Sequence, residues 1–184
     1  MHRWHLLLVP CIALSCAAPV YRPTVHLSEQ LFQSSDDILR GRVPQGWFDA
    51  TDPELTPHLS AWLLRDDYGA ALTFQEITVD HTTARHIASK GLKLLAELSF
   101  RLKQAEYPTV QIVSAPSIFS IEGMDFCRYN YNSQRGSPPT GVVVFRIRGH
   151  FFESTIATTR GELSAEELQQ LMDVQQATLA SLQQ

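Results

Sequence analysis

The chain has 184 residues and a mass of 20.7 kDa, 44% of the residues are hydrophobic, and the formal net charge is −4. That length allows one domain and a short appendage, and that apolar share is enough to bury a core. The acidic balance, with a pI near 5.9 and no basic run, excludes a nucleic-acid binder, which needs cations to neutralise phosphates.

In chain order the first element is a leader. Residues 1–5 carry Arg3, residues 6–14 are apolar, and Ala13 and Ser15 lead to Cys16. The apolar run is too short to cross a bilayer, which takes roughly 20 residues. Ile12-Ala13-Leu14-Ser15-Cys16 resembles the end of a bacterial lipoprotein signal, in which the cysteine after a small residue is lipidated and becomes the new N-terminus. It departs from that pattern in having Ala13 where Leu is preferred, and Pro10 and Cys11 inside the apolar run. The resemblance implies a signal peptide over 1–15, palmitate-like acyl chains on Cys16, and a cell-envelope protein held at the membrane facing the periplasm. Two or more chains anchor stably where one binds reversibly, each buried CH₂ contributing about 0.8 kcal/mol. Ala17, rather than Asp, after Cys16 implies the outer membrane rather than the inner one in a Gram-negative cell. The rival readings are a secretory signal cleaved without lipid, for instance after Ala17 or Ala18, and a cytosolic chain with a chance apolar start. If Cys11 leaves with the signal and Cys16 carries lipid, Cys127 has no cysteine to pair with.

Residues 16–35, with Pro19 and Pro23, read as a tether, with Leu27, Leu31 and Phe32 docking as a short helix. A single domain then runs over 36–184. Its expected start is a strand at 38–43, a turn at Pro44-Gln45-Gly46, an extended stretch at 47–50 and a loop at 51–57. A strand at 59–64, a turn at 66–69 and a longer strand at 70–79 follow. In the last, Ala70, Leu72, Phe74, Glu76 and Thr78 share one face, and Ala71, Thr73, Gln75, Ile77 and Val79 the other; the pattern leaves the core side open.

Residues 83–104 carry the longest helical pattern. Ala84, Ile87, Ala88, Gly91, Leu94, Leu95, Leu98 and Leu102 fall on one face, and Arg85, His86, Lys90, Lys93, Glu97, Arg101 and Gln104 on the other. The expectation is one long central helix, capped by Thr82 and stopped by Tyr107-Pro108. Strands follow at 109–114, at 117–121 running into 124–132, at 141–148 and at 150–158. Val143, Phe145 and Ile147 point one way, Arg146 and Arg148 the other, and Gly149 makes a hairpin. Ser164 and Glu167 spell a capping box for a last helix with Leu168, Leu171, Met172, Leu179 and Leu182 on its apolar face. Gln175 lies within that face and is expected to reach its rim. The fold class is therefore α+β: an antiparallel sheet with a long central helix and a C-terminal helix packed on it.

Val43-Pro44-Gln45-Gly46-Trp47 and the late hairpin over 142–152, leading through Ser164 into a Gln-rich helix, resemble the family of PsbP-like and Mog-like domains. The likeness covers about residues 36–184, although the loops at 51–57 and 130–141 have no counterpart in it. It implies an α-β-α sandwich and a non-catalytic binding domain. Members are extrinsic subunits of photosynthetic complexes, partners of small GTPases, or lipoproteins of unknown role.

Chemistry-bearing residues are few. His81 and His86, five apart, do not share a helical face as a metal pair would. His150 and Glu153 fall on opposite faces of a strand. Asp49, Asp52 and Glu54 lack the glycine and ligand count of a calcium loop. Cys127 reads as a half-buried structural thiol. No GxSxG, CxxC, HExxH or phosphate-binding glycine loop occurs, so no catalytic residue, metal or cofactor is expected. Phe100, on the polar helix face, and Tyr129, Tyr131 and Arg135, around an exposed loop, are candidate partner contacts. The expected function is a membrane-anchored, non-enzymatic accessory or stabilising partner of another envelope protein. The alternative is a carrier of a small apolar or lipidic ligand in the cleft between sheet and helix.

Overall fold

Alternating apolar residues at 142–147 build the strand around which the sheet is assembled. In the computed structural model, which describes residues 25–161 and 163–183, this strand is β8 (Thr140–Ile147), paired antiparallel with β7 (Met124–Asn132) and β9 (His150–Thr158). Outward from β7 lies β6 (Gln111–Ile121). Outward from β9 lie β5 (Ala70–Glu76), β4 (Ala61–Arg65) and β3 (Trp47–Asp49). The seven strands run in the order β3-β4-β5-β9-β8-β7-β6, every pair antiparallel.

One face of this sheet is closed completely. Leu63, Leu72, Phe74, Phe126, Phe145, Phe152 and Ile156 point into it, and α3 (Ala165–Ala180) lays Leu171 and Leu179 over them. The capping box of Ser164 and Glu167 forms as the sequence predicts, starting α3. A two-stranded ribbon of β1 (Leu27–Gln33) and β2 (Arg40–Pro44) covers the remainder of this face. Residues 27–33, expected in a tether and as a short helix, are thus a strand. Phe32 explains why: its ring is fully buried and stacks on Phe74 with centroids 5.2 Å apart. Gly41 lets that ring approach, since a Cβ there would lie 2.8 Å from it. The leader, Cys16 and residues 16–24 of the expected tether lie outside the described residues.

The other face is covered by two helices. The expected long central helix is α1 (His81–Lys90) followed by α2 (Leu92–Glu106), separated at Gly91. Gly91 adopts φ 83°, ψ −178°, a conformation essentially confined to glycine. Asp80, rather than Thr82, caps α1, its carboxylate accepting from the amides of Thr82 and Thr83. Because the chain turns at Gly91, α2 does not inherit the phase of α1. Ile87, Leu95, Ala96 and Ser99 are buried against the sheet with Ala84, Leu92, Leu94 and Leu98 packed beside them, and Leu102 is 63% exposed. No described helix is long and apolar enough to cross a membrane.

Gln175 is also placed differently from expectation. It is 2% exposed, and its amide donates to the carbonyl of Ser154 at 3.0 Å and to the Ser154 hydroxyl at 3.3 Å. Ser154 is the polar residue on the buried face of β9, so Gln175 has a partner in the core and does not need the rim.

Candidate functional site

The features that set one region apart lie on the helix-pair face. Glu153 follows from strand alternation: Phe152 and Ser154 point to the α3 side, so Glu153 points toward α2. There it is 7% exposed. Its carboxylate accepts from Ser99, from the Lys103 ammonium and, at 3.0 Å, from Thr155. The Ser99 oxygen is also 2.6 Å from the Tyr129 hydroxyl. With the Ser99 proton directed to Glu153, Tyr129 donates to Ser99, and a proton-ordered chain runs Tyr129 to Ser99 to Glu153.

This network sets the roll of α2. A helix turned about 100° the other way would bury Leu102 in place of Lys103, while Leu94 and Leu98 already pack against the core. Burying Leu102 would contribute about 1.5–3 kcal/mol. It would also leave Glu153 without Ser99 or Lys103, and an unpaired buried carboxylate costs several kcal/mol. The polar contacts win, and Leu102 is displayed outward.

Beside the network opens a cleft of about 330 Å³, walled by Gln75, Ile77, Leu102 and Lys103, with Glu76, Glu106 and Glu153 around it. Glu76, in the same cross-strand row as Phe152, turns its carboxylate to the other face, where it accepts from His150 Nδ1 at 2.8 Å, and Glu106 accepts from the Tyr107 hydroxyl. The cleft continues onto bare sheet. α2 lies against β6, β7 and β8, and no described helix makes an extensive contact with β3, β4 or β5. On that uncovered half, the register aligns Phe48 with Leu64 and Ala71, and Trp62 with Thr73. All five are half-buried, and Phe48, Trp62, Leu64 and Ala71 belong to neither hydrophobic cluster.

The residues singled out by sequence are dispersed. Tyr129, expected at a partner surface, lies in the core under α2, because strand alternation directs it to the same face as Cys127. Burial first, and the Glu153 charge second, push its phenol far above the ordinary range. Phe100 is half-buried and meets the Tyr129 ring edge-on at 5.9 Å. Tyr131 is half-buried beneath the Lys103 ammonium, and Arg135 is exposed. Cys127 is fully buried, and burial pushes its thiol up to about 11. His81 and His86 are exposed on α1. Asp49 and Asp52 accept hydrogen bonds from their own loop, at Thr51 and Glu54. Among the described residues no group of His, Cys, Asp and Glu is arranged to hold a metal ion.

Sequence reasoning missed the Ser99–Lys103–Glu153 cluster. The signal was available: Ser99 and Lys103 are one turn apart, and Glu153 is the one carboxylate in β9, where alternation from Phe152 directs it toward α2. The helix phase carried across Gly91 put Lys103 outside the expected apolar face and so hid it.

No family model and no curated protein matches the sequence. Solved structures do. The solution structure of cyanobacterial PsbP (CyanoP) from Synechocystis sp. PCC 6803 superposes with a TM-score of 0.56 at 11% identity, over 92% of this chain and 98% of that one. A crystal structure of a protein from Bacteroides thetaiotaomicron VPI-5482 gives a TM-score of 0.38 at 14% identity, over 84% of this chain and 47% of that one. At such identity the first likeness speaks to architecture alone: an antiparallel sheet with helices on both faces, a PsbP-like fold.

Proposed function

We propose that the chain is an envelope lipoprotein, acylated at Cys16, whose α+β domain is a non-enzymatic partner of another envelope protein. The leader supports the anchoring, since its apolar run ends in Ser15-Cys16. The observation that carries the binding role is the uncovered half of the sheet. Phe48, Trp62 and Leu64 stand there without a covering helix, while the opposite face of the same strands is fully closed. An apolar surface left open beside polar groups is what a protein interface requires.

The buried polar groups fit a structural role better than a catalytic one. The Glu153 carboxylate is buried and committed to three donors, Ser99, Lys103 and Thr155, the arrangement of a group that holds α2 to the sheet. The Cys127 thiol is sequestered and stays protonated at neutral pH. A lipidic ligand is not favoured in the cleft, because Lys103, Glu106 and Glu153 line it.

Two measurements test this. The intact mass of the protein from the membrane fraction should exceed that of the polypeptide from Cys16 onward by the mass of its acyl groups. Affinity capture from detergent-solubilised membranes should return a stoichiometric protein partner, and Trp62→Ser should weaken that capture. An unmodified mass removes the anchor, and capture of nothing by the lipidated protein removes the binding role.

A further inference from the structure

We infer that the uncovered sheet half and the cleft form one docking site for an extended protein segment that seats a lysine or arginine in the cleft and an apolar side chain on the shelf. This rests on the binding role proposed above and names the chemistry of the partner.

Geometry supplies the first argument. Trp62 and Thr73 lie in one cross-strand row, and Thr73 aligns in turn with Thr155. Gln75 and Glu153 form the next row on the same face, at the mouth of the cleft. Rows two residues apart are separated by about 7 Å, which is also the spacing of side chains i and i+2 in an extended peptide. A segment lying along β5 therefore sets one side chain over Trp62 and Thr73 and its second neighbour into the cleft.

Charge supplies the second argument. The cleft wall bears two carboxylates, from Glu106 and Glu153, against the single ammonium of Lys103. Glu76 pairs with His150 on the opposite face of the sheet, so the balance in the cleft is set by Glu106, Glu153 and Lys103 and is negative. A phosphate or a carboxylate would be repelled, whereas a guanidinium or ammonium is complementary. Ile77 and Leu102 flank these charges, and they suit the aliphatic stem of a long basic side chain. Leu102 is displayed there because the Glu153 network turned α2, so the wall that would grip the stem is a by-product of the pair that holds the helix. Glu106, near the end of α2, is exposed and accessible to a partner.

The test places a photoreactive phenylalanine analogue at position 62 of the full-length chain in its native membranes, with the cross-linked peptide identified by mass spectrometry. The expected product joins position 62 to a segment of another protein with Lys or Arg about two residues from the linked position. Glu106→Lys should reduce that product at least about tenfold, and Glu106→Gln by less, because repulsion replaces attraction only in the former. Thermal unfolding of both variants, expected to match the parent, guards against misfolding. Cross-linking to lipid, to a second copy of this chain, or to a segment lacking a basic residue would overturn the inference. So would a yield indifferent to Glu106→Lys. If position 62 yields no product while affinity capture still returns a partner, this docking site is wrong and the binding role stands; if both fail, both fall.

Discussion

The two faces of the sheet are built on opposite principles. On the α3 side, Phe32, Phe74, Phe126, Phe145 and Phe152 pack ring on ring, with Gln175 and Ser154 satisfying each other among them. On the helix-pair side, α2 is fixed by an ion pair and two hydroxyls, and half of the sheet is left bare. The first face supplies most of the stability. The second gives up apolar coverage for a surface that can be recognised, as a binding domain must.

The contrast is broken most severely by removing an aromatic from the closed face. Phe74→Ala takes out a ring that touches both Phe32 and Phe145, and should cost about 3–5 kcal/mol in urea unfolding. On the other face Glu153→Ala should cost less, about 2–4 kcal/mol. It orphans Ser99 and Thr155, but Lys103 can swing to solvent because its side chain is already 20% exposed. A Glu153→Ala loss as large as that of Phe74→Ala would mean that both faces hold the fold equally. Gly91→Ala should cost about 1–3 kcal/mol, since alanine cannot hold Gly91's backbone angles without strain. Circular dichroism should show no loss of helix in that variant.

The smallest expected effect concerns Cys127. Its folded thiol is raised to about 11 from an ordinary value of 9.0. The folded state therefore disfavours the thiolate, and stability present below pH 9 should decline as pH rises through 11. In native protein Cys127 should resist iodoacetamide at pH 8, and it should react once urea unfolds the chain. Native-state labelling at the unfolded rate would mean that the helix pair opens readily over β7.

Legibility in the sequence followed the same division. The strands β7, β8 and β9 and the capping box of α3 could be read directly, because local pattern and tertiary role agree in them, whereas β5 was read as a strand without its core side. β1 could not, since only Phe32 of its seven residues is buried and the surrounding residues are those of a linker. The site was read least well. Ser99 and Lys103 are seated by Glu153, fifty residues away from Lys103 in sequence, and the hydrophobic stripe, right for Ile87, Leu94, Leu95 and Leu98, failed at Leu102, which is exposed. Helix phase drew Phe100 toward the surface and the composition of the following loop drew Tyr129 there, while the chain of hydroxyls ending at Glu153 holds Tyr129 inside.

The joint at Gly91 carries a practical corollary. Since α2 takes its rotational setting from the sheet and none of it from α1, extra residues inserted at the joint would lengthen a connection and leave Ser99 and Lys103 seated on Glu153. One residue inserted a single turn later, after Leu95, would swing both side chains about 100° away from the carboxylate. Gly91 is therefore the place in this domain to graft a tag or a reporter, and the first turn of α2 is the place to avoid.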